Sequence, residues 1–74
     1  MNSENLNKLK TALMENKDLY LKWDNLKLLL RYDKSINNYR GLELEDKIQV
    51  GIWTKKMLLE IINGKREDMK LSIE

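Results

Sequence analysis

The stretch Leu19–Asp33, "LYLKWDNLKLLLRYD", decides the fold. It reads either as one amphipathic helix or as a β-hairpin turning at Asp24-Asn25. A helix gathers Leu19, Trp23, Leu26 and Leu30 on one face but scatters Tyr20, Leu21, Leu28, Leu29 and Tyr32 around the rest of its circumference. As strands, Leu19, Leu21 and Trp23 alternate with Tyr20 and Lys22, and Leu26, Leu28, Leu30 and Tyr32 alternate with Lys27, Leu29 and Arg31. A two-residue turn then pairs Trp23 with Leu26, Leu21 with Leu28 and Leu19 with Leu30. All three pairs are apolar and share one face, as cross-strand pairs with one buried side must. On the other face Asp18 meets Arg31, Tyr20 meets Leu29, and Lys22 meets Lys27. Asp and Asn tolerate the positive φ that a type I′ turn requires. The hairpin is the better reading.

Working outward, Leu6, Leu9 and Leu13 form one helical stripe beside Ala12, with Ser3 as N-cap and Asn16 as a left-handed terminus. The spacing predicts a helix over 3–16. Residues 34–42, "KSINNYRGL", carry the turn formers Ser35, Asn37, Asn38 and Gly41, and form a loop or a short third strand around Tyr39 to Leu44. "LEDKIQVGIWTKKMLLEIING" then reads as a long helix over 44–63, with Glu45 and Asp46 in its first turn and Gly64 closing it. Its apolar arc is so broad that the helix is expected to be central or to meet a partner as well. In the tail, Met69, Leu71 and Ile73 alternate with Lys70 and Ser72, a strand over 69–73 able to join the hairpin. The expectation is one α+β domain over 1–74. A small antiparallel sheet, hairpin 19–23/26–32 plus strand 69–73, packs on an N-terminal helix 3–16 and a long helix 44–63. The rival is an all-α three-helix bundle.

A 74-residue chain buries only roughly 60% of its unfolded surface, so its stability is expected to be modest. It has no cysteine and no histidine. That excludes disulfides and thiolate metal sites, and removes the usual general base near neutral pH. The longest apolar run, Leu28-Leu29-Leu30, falls far short of the roughly 20 residues that span a bilayer. The start "MNSENLNKLK" does not resemble a signal peptide. A cytoplasmic protein without membrane association is the expectation. Abundant Asn, Lys, Ile and Leu suggest an AT-rich coding genome, such as that of a low-GC bacterium or its phages.

Chemistry is scarce. Ser3, Ser35, Ser72, Thr11 and Thr54 have no histidine to activate them. Glu43, Glu45 and Asp46 form the densest acidic group, but acidic residues are favoured at a helix start by the dipole alone, and calcium-loop spacing is missing. The glycines fit no phosphate-binding pattern. The chain is expected not to be an enzyme and to carry neither cofactor nor metal.

Net charge is +2, yet residues 19–40 hold five basic and two acidic side chains while 41–74 hold six basic and seven acidic. The basic segment coincides with the aromatics. The outer hairpin face, Tyr20, Lys22, Lys27, Leu29 and Arg31 flanked by Tyr39 and Arg40, is therefore the candidate partner-binding surface. Trp23 and Trp53 read as core residues, though Trp53 with Met57 marks a second candidate surface. Tyr and Arg are enriched at interface hot spots. The leading expectation is a protein-interaction module binding a larger protein, an inhibitor or adaptor of the kind phages and mobile elements encode against a host protein. Interleaved rings and cations also suit nucleic acid, although dedicated binders are much more basic. A homodimer or larger homo-oligomer built through the C-terminal edge strand or the wide helix face is the third expectation.

Overall fold

The computed structural model describes residues 3–73, the side chain of Ser3 excepted, so the expected Ser3 cap lies outside the described residues. The chain runs α1 (Ser3–Met14), β1 (Leu19–Trp23), β2 (Leu26–Asp33), β3 (Asn38–Glu43), β4 (Gln49–Trp53), α2 (Lys55–Ile62), β5 (Met69–Ser72). The five strands form one sheet in the order β4-β3-β2-β1-β5 with every neighbouring pair antiparallel. Both helices pack on one face of it, giving a two-layer α+β domain. The three-helix bundle is not what the chain forms.

The opening hairpin has the register that the alternation predicts: Leu19 opposite Leu30, Leu21 opposite Leu28, Trp23 opposite Leu26. Its turn departs from type I′, because only Asp24 of the central pair takes positive φ, at 54°. Helix α1 ends at Met14, short of the expected 16. Asn16 turns left-handed at φ 59°, and the N–H groups of Asn16 and Lys17 return to the carbonyls of Leu13 and Ala12 at 3.2 and 2.9 Å.

The expected helix over 44–63 is two elements, a strand and a shorter helix. The reason lies in the glycines. Gly51 sits directly across from Gly41 in the β3–β4 pair, with Trp53 one step along the same face of β4. A Cβ on Gly41 would stand 2.3 Å from the Trp53 ring, and one on Gly51 2.8 Å from it. The glycine pair is a slot for the indole, which fills the missing side-chain volume and meets Trp23 edge-on at 6.3 Å. Helix α2 begins only after Thr54, whose hydroxyl accepts from the Met57 N–H at 3.1 Å. Its inward residues are Leu58, Ile61 and Ile62. Gly64, at φ 79°, closes it as expected. The over-wide apolar arc thus belongs partly to β4, whose Val50 and Ile52 point to solvent.

The core joins Leu9, Ala12 and Leu13 of α1 and the inward face of α2 to Leu19, Leu21, Leu28, Leu30, Tyr39, Trp53, Met69 and Leu71 of the sheet. Tyr39 is fully buried, and its hydroxyl donates to the Leu13 carbonyl at 3.2 Å, a second bond to an acceptor that already takes the Asn16 N–H at the end of α1. Burial pushes the Tyr39 phenol up to about 12, with Tyr32 and Asp18 adding to the shift.

Candidate functional site on the open sheet face

The sheet has a second face that neither helix covers. Because side chains alternate, residues between the core positions of each strand must emerge there. The strand registers stack them in three rows. In the first, Lys70 of β5, Lys22 of β1 and Lys27 of β2 are direct neighbours across the strands, all exposed. In the second, Ser72, Tyr20, Leu29, Leu42 and Gln49 cross all five strands. In the third, Arg31 lies opposite Arg40, and Arg40 opposite Ile52.

The rows differ in how their charges are met. Arg31 approaches Asp18 at 3.9 Å, between largely exposed side chains. Arg40 is held more firmly. Its Nε donates to Asp33 at 2.6 Å and a terminal nitrogen donates to Gln49 at 2.8 Å. Ser35 donates to the same Asp33 carboxylate from both hydroxyl and backbone N–H, at 2.6 and 2.9 Å. Those bonds from Ser35, and next the one from Arg40, hold the Asp33 carboxyl down at about 2. The lysine row sets like charges opposite one another across three strands. Like charges directly opposite one another weaken a sheet, and here three stand in sequence.

Of the expected outer-face residues, Tyr20, Lys22, Lys27, Leu29, Arg31 and Arg40 do share this face. Leu29 is nevertheless only 5% exposed, walled by Tyr20 and Leu42 on the neighbouring strands. It supports the face without presenting itself. Tyr39 was expected to flank this surface but belongs to the opposite face, where it pairs with Tyr32 across β2–β3 and is buried. The second candidate surface dissolves as well: Trp53 is 4% exposed in its glycine slot, and Met57 packs against the core. Its indole Nε1 is buried without a hydrogen-bond partner.

Sequence reasoning missed Lys70, Leu42, Ile52 and Asp33 as members of this face. The alternation of the tail does mark Lys70 as outward if Leu71 is inward, but its place beside Lys22 depends on which strand β5 joins. The acidic group is also placed differently from the expectation of a helix start. Glu43 ends β3, and its two carboxylate oxygens accept from the backbone N–H groups of Glu45 and Asp46 at 2.9 and 2.7 Å. Those bonds lower its pKa, Asp46 being the larger influence, and they fix the β3–β4 turn. Among the described residues, no three carboxylates gather where a metal ion would be held, and no helix is long and apolar enough to cross a membrane. An open groove of about 930 Å³ lies between α1 and β5, backed by Leu9, Ala12 and Leu71.

No protein-family model, no curated protein and no solved structure matches this chain.

Proposed function

We propose that this chain is a non-enzymatic protein-interaction module that docks an acidic surface of a larger protein against its open sheet face. The observation that supports the reading best is the lysine row Lys70–Lys22–Lys27. Each lysine loses stability by standing beside the next, and carboxylates on a partner would turn that repulsion into attraction. Tyr20 beside the row, and Ile52 at the far corner of the same face, add apolar contact of the kind that anchors interfaces. An inhibitor or adaptor acting on a host protein, as phages and mobile elements use, is a role such a face serves.

Nucleic acid is the alternative, and one placement weighs against it. Single-stranded binders stack successive bases on several rings. With Tyr39 turned into the core, Tyr20 is the one aromatic side chain on the open face of the described strands.

The test is affinity capture from lysate of the source cells, divided into nuclease-treated and untreated halves, with wild type beside a Lys22→Glu/Lys27→Glu/Lys70→Glu variant. The expected result is a protein retained through nuclease treatment by the wild type and lost by the variant. Retention that vanishes with nuclease would replace the proposal by the nucleic-acid reading, and retention by the variant would remove the open face from the account.

A further inference from the structure

The two edges of the sheet are built differently. Strand β5, at one edge, carries Lys70 among its four residues. Strand β4, at the other, lies within Ile48–Thr54, seven residues without a charged side chain. Along it Ile48, Val50 and Ile52 are exposed to 60%, 48% and 46%. Edges are normally protected by lysine, proline or strong bulges, because their unpaired N–H and C=O groups accept another strand. Here β4 has a bulge, the register shifting between Gly41 and Leu42, but no charge.

We infer that β4 pairs antiparallel with β4 of a second copy of this chain, forming a two-fold dimer with a continuous ten-stranded sheet. Charge complementarity singles out that occupant. The turn leading into β4 exposes Glu45 and Asp46, while Lys55 and Lys56 begin the helix just after it. Lys47, the cation within the turn, is drawn back onto the Leu44 carbonyl at 2.8 Å. Antiparallel self-pairing brings the acidic end of each β4 beside the basic end of its partner, at both ends of the joint. Parallel pairing would set like beside like. The apolar side chains between them meet their own kind, and no charge is stripped of water. Association also closes, because each copy spends its β4 edge once and the remaining β5 edges carry Lys70. A two-fold axis normal to the sheet keeps both open faces on one side, so the dimer doubles the surface without consuming the lysine row.

A joint between five-residue strands is smaller than the roughly 1,200 Å² at which stable interfaces begin, so the dimer is expected to depend on concentration. Sedimentation velocity of the full chain from micromolar to millimolar concentration should show the mass rising from monomer to dimer. Ile48→Lys and Ile52→Lys, each with an unchanged circular dichroism spectrum, should weaken dimerisation at least about tenfold. Ile48→Lys guards against any effect of Ile52 through the open face. Glu45→Lys should weaken it too, and adding Lys56→Glu should restore it. Monomer mass throughout, dimers undiminished by the lysine variants, or a charge swap that fails to restore association would each overturn the inference.

Discussion

Leu28 and Leu29 are neighbours in β2, exposed to 0% and 5%, and they are buried in different ways. Leu28 lies on the closed face, in the cluster that both helices complete. Leu29 lies on the open face, outside that cluster, with Tyr20 and Leu42 opposite it on the adjacent strands. Low exposure therefore has two meanings in this sheet. On the closed face it reflects a packed second layer, which sets the fold. On the open face it reflects side chains leaning together over a surface that still meets solvent. The closed face has settled its polar groups almost completely, down to the Tyr39 hydroxyl on the Leu13 carbonyl. The open face sets three lysines side by side across adjacent strands.

The sharpest way to break this comparison is to truncate both leucines. Leu28→Ala should fall toward the upper part of the roughly 2–5 kcal/mol usual for core truncation, because the packed helices cannot close the cavity. Leu29→Ala should fall at or below the lower end, because Tyr20 and Leu42 can settle into the space. Urea unfolding of the two variants reads the difference directly, and equal losses would mean that the faces are packed alike. Next in size is Gly41→Ala, which adds one methyl group where the Trp53 ring already lies. It should cost about 1–3 kcal/mol by overpacking, with a changed tryptophan emission spectrum as the marker that the indole has moved.

These same residues show what the sequence could and could not reveal. The opening hairpin was legible because its alternation runs through both strands, so the two-residue turn pairs Leu19, Leu21 and Trp23 with Leu30, Leu28 and Leu26 on one face. Asn16 and Gly64 were legible because left-handed helix ends select those residue types. The β4–α2 region was not, because Ile48 and Ile52 are spaced like one helical stripe and Val50 occupies the bulge that interrupts strand periodicity. What marks the strand is the Gly41–Gly51 pair, and that pair exists only once β3 and β4 are side by side. Tyr39 was misplaced for a related reason. A shift of one residue in the β2–β3 register exchanges the faces, and the turn formers Ser35 and Asn37 mark a turn without fixing its length. Lys70 needed the knowledge that β5 joins β1.

A smaller effect tests how the open face is held at its arginine end. The Asp33 carboxyl is lowered from 3.8 to about 2 in the fold. A depressed acid contributes stability above its unfolded pKa and loses it as pH falls through the folded value. The contribution should therefore be complete above about pH 4 and vanish toward pH 2. Ser35→Ala and Arg40→Gln should each raise the Asp33 titration midpoint seen by NMR. A midpoint unmoved by either change would show that those bonds do not hold the carboxylate.

The central claim, that the closed face carries stability and the open face carries binding, is tested most directly by Lys22→Glu, measured for unfolding and for partner capture on the same sample. Lys22 is the middle lysine of the row, so the substitution replaces two like-charge neighbours by two opposite-charge ones. The account predicts a urea midpoint raised by the equivalent of about 0.2–1 kcal/mol, together with loss of the captured protein. A lowered midpoint, or capture that survives the change, would contradict it.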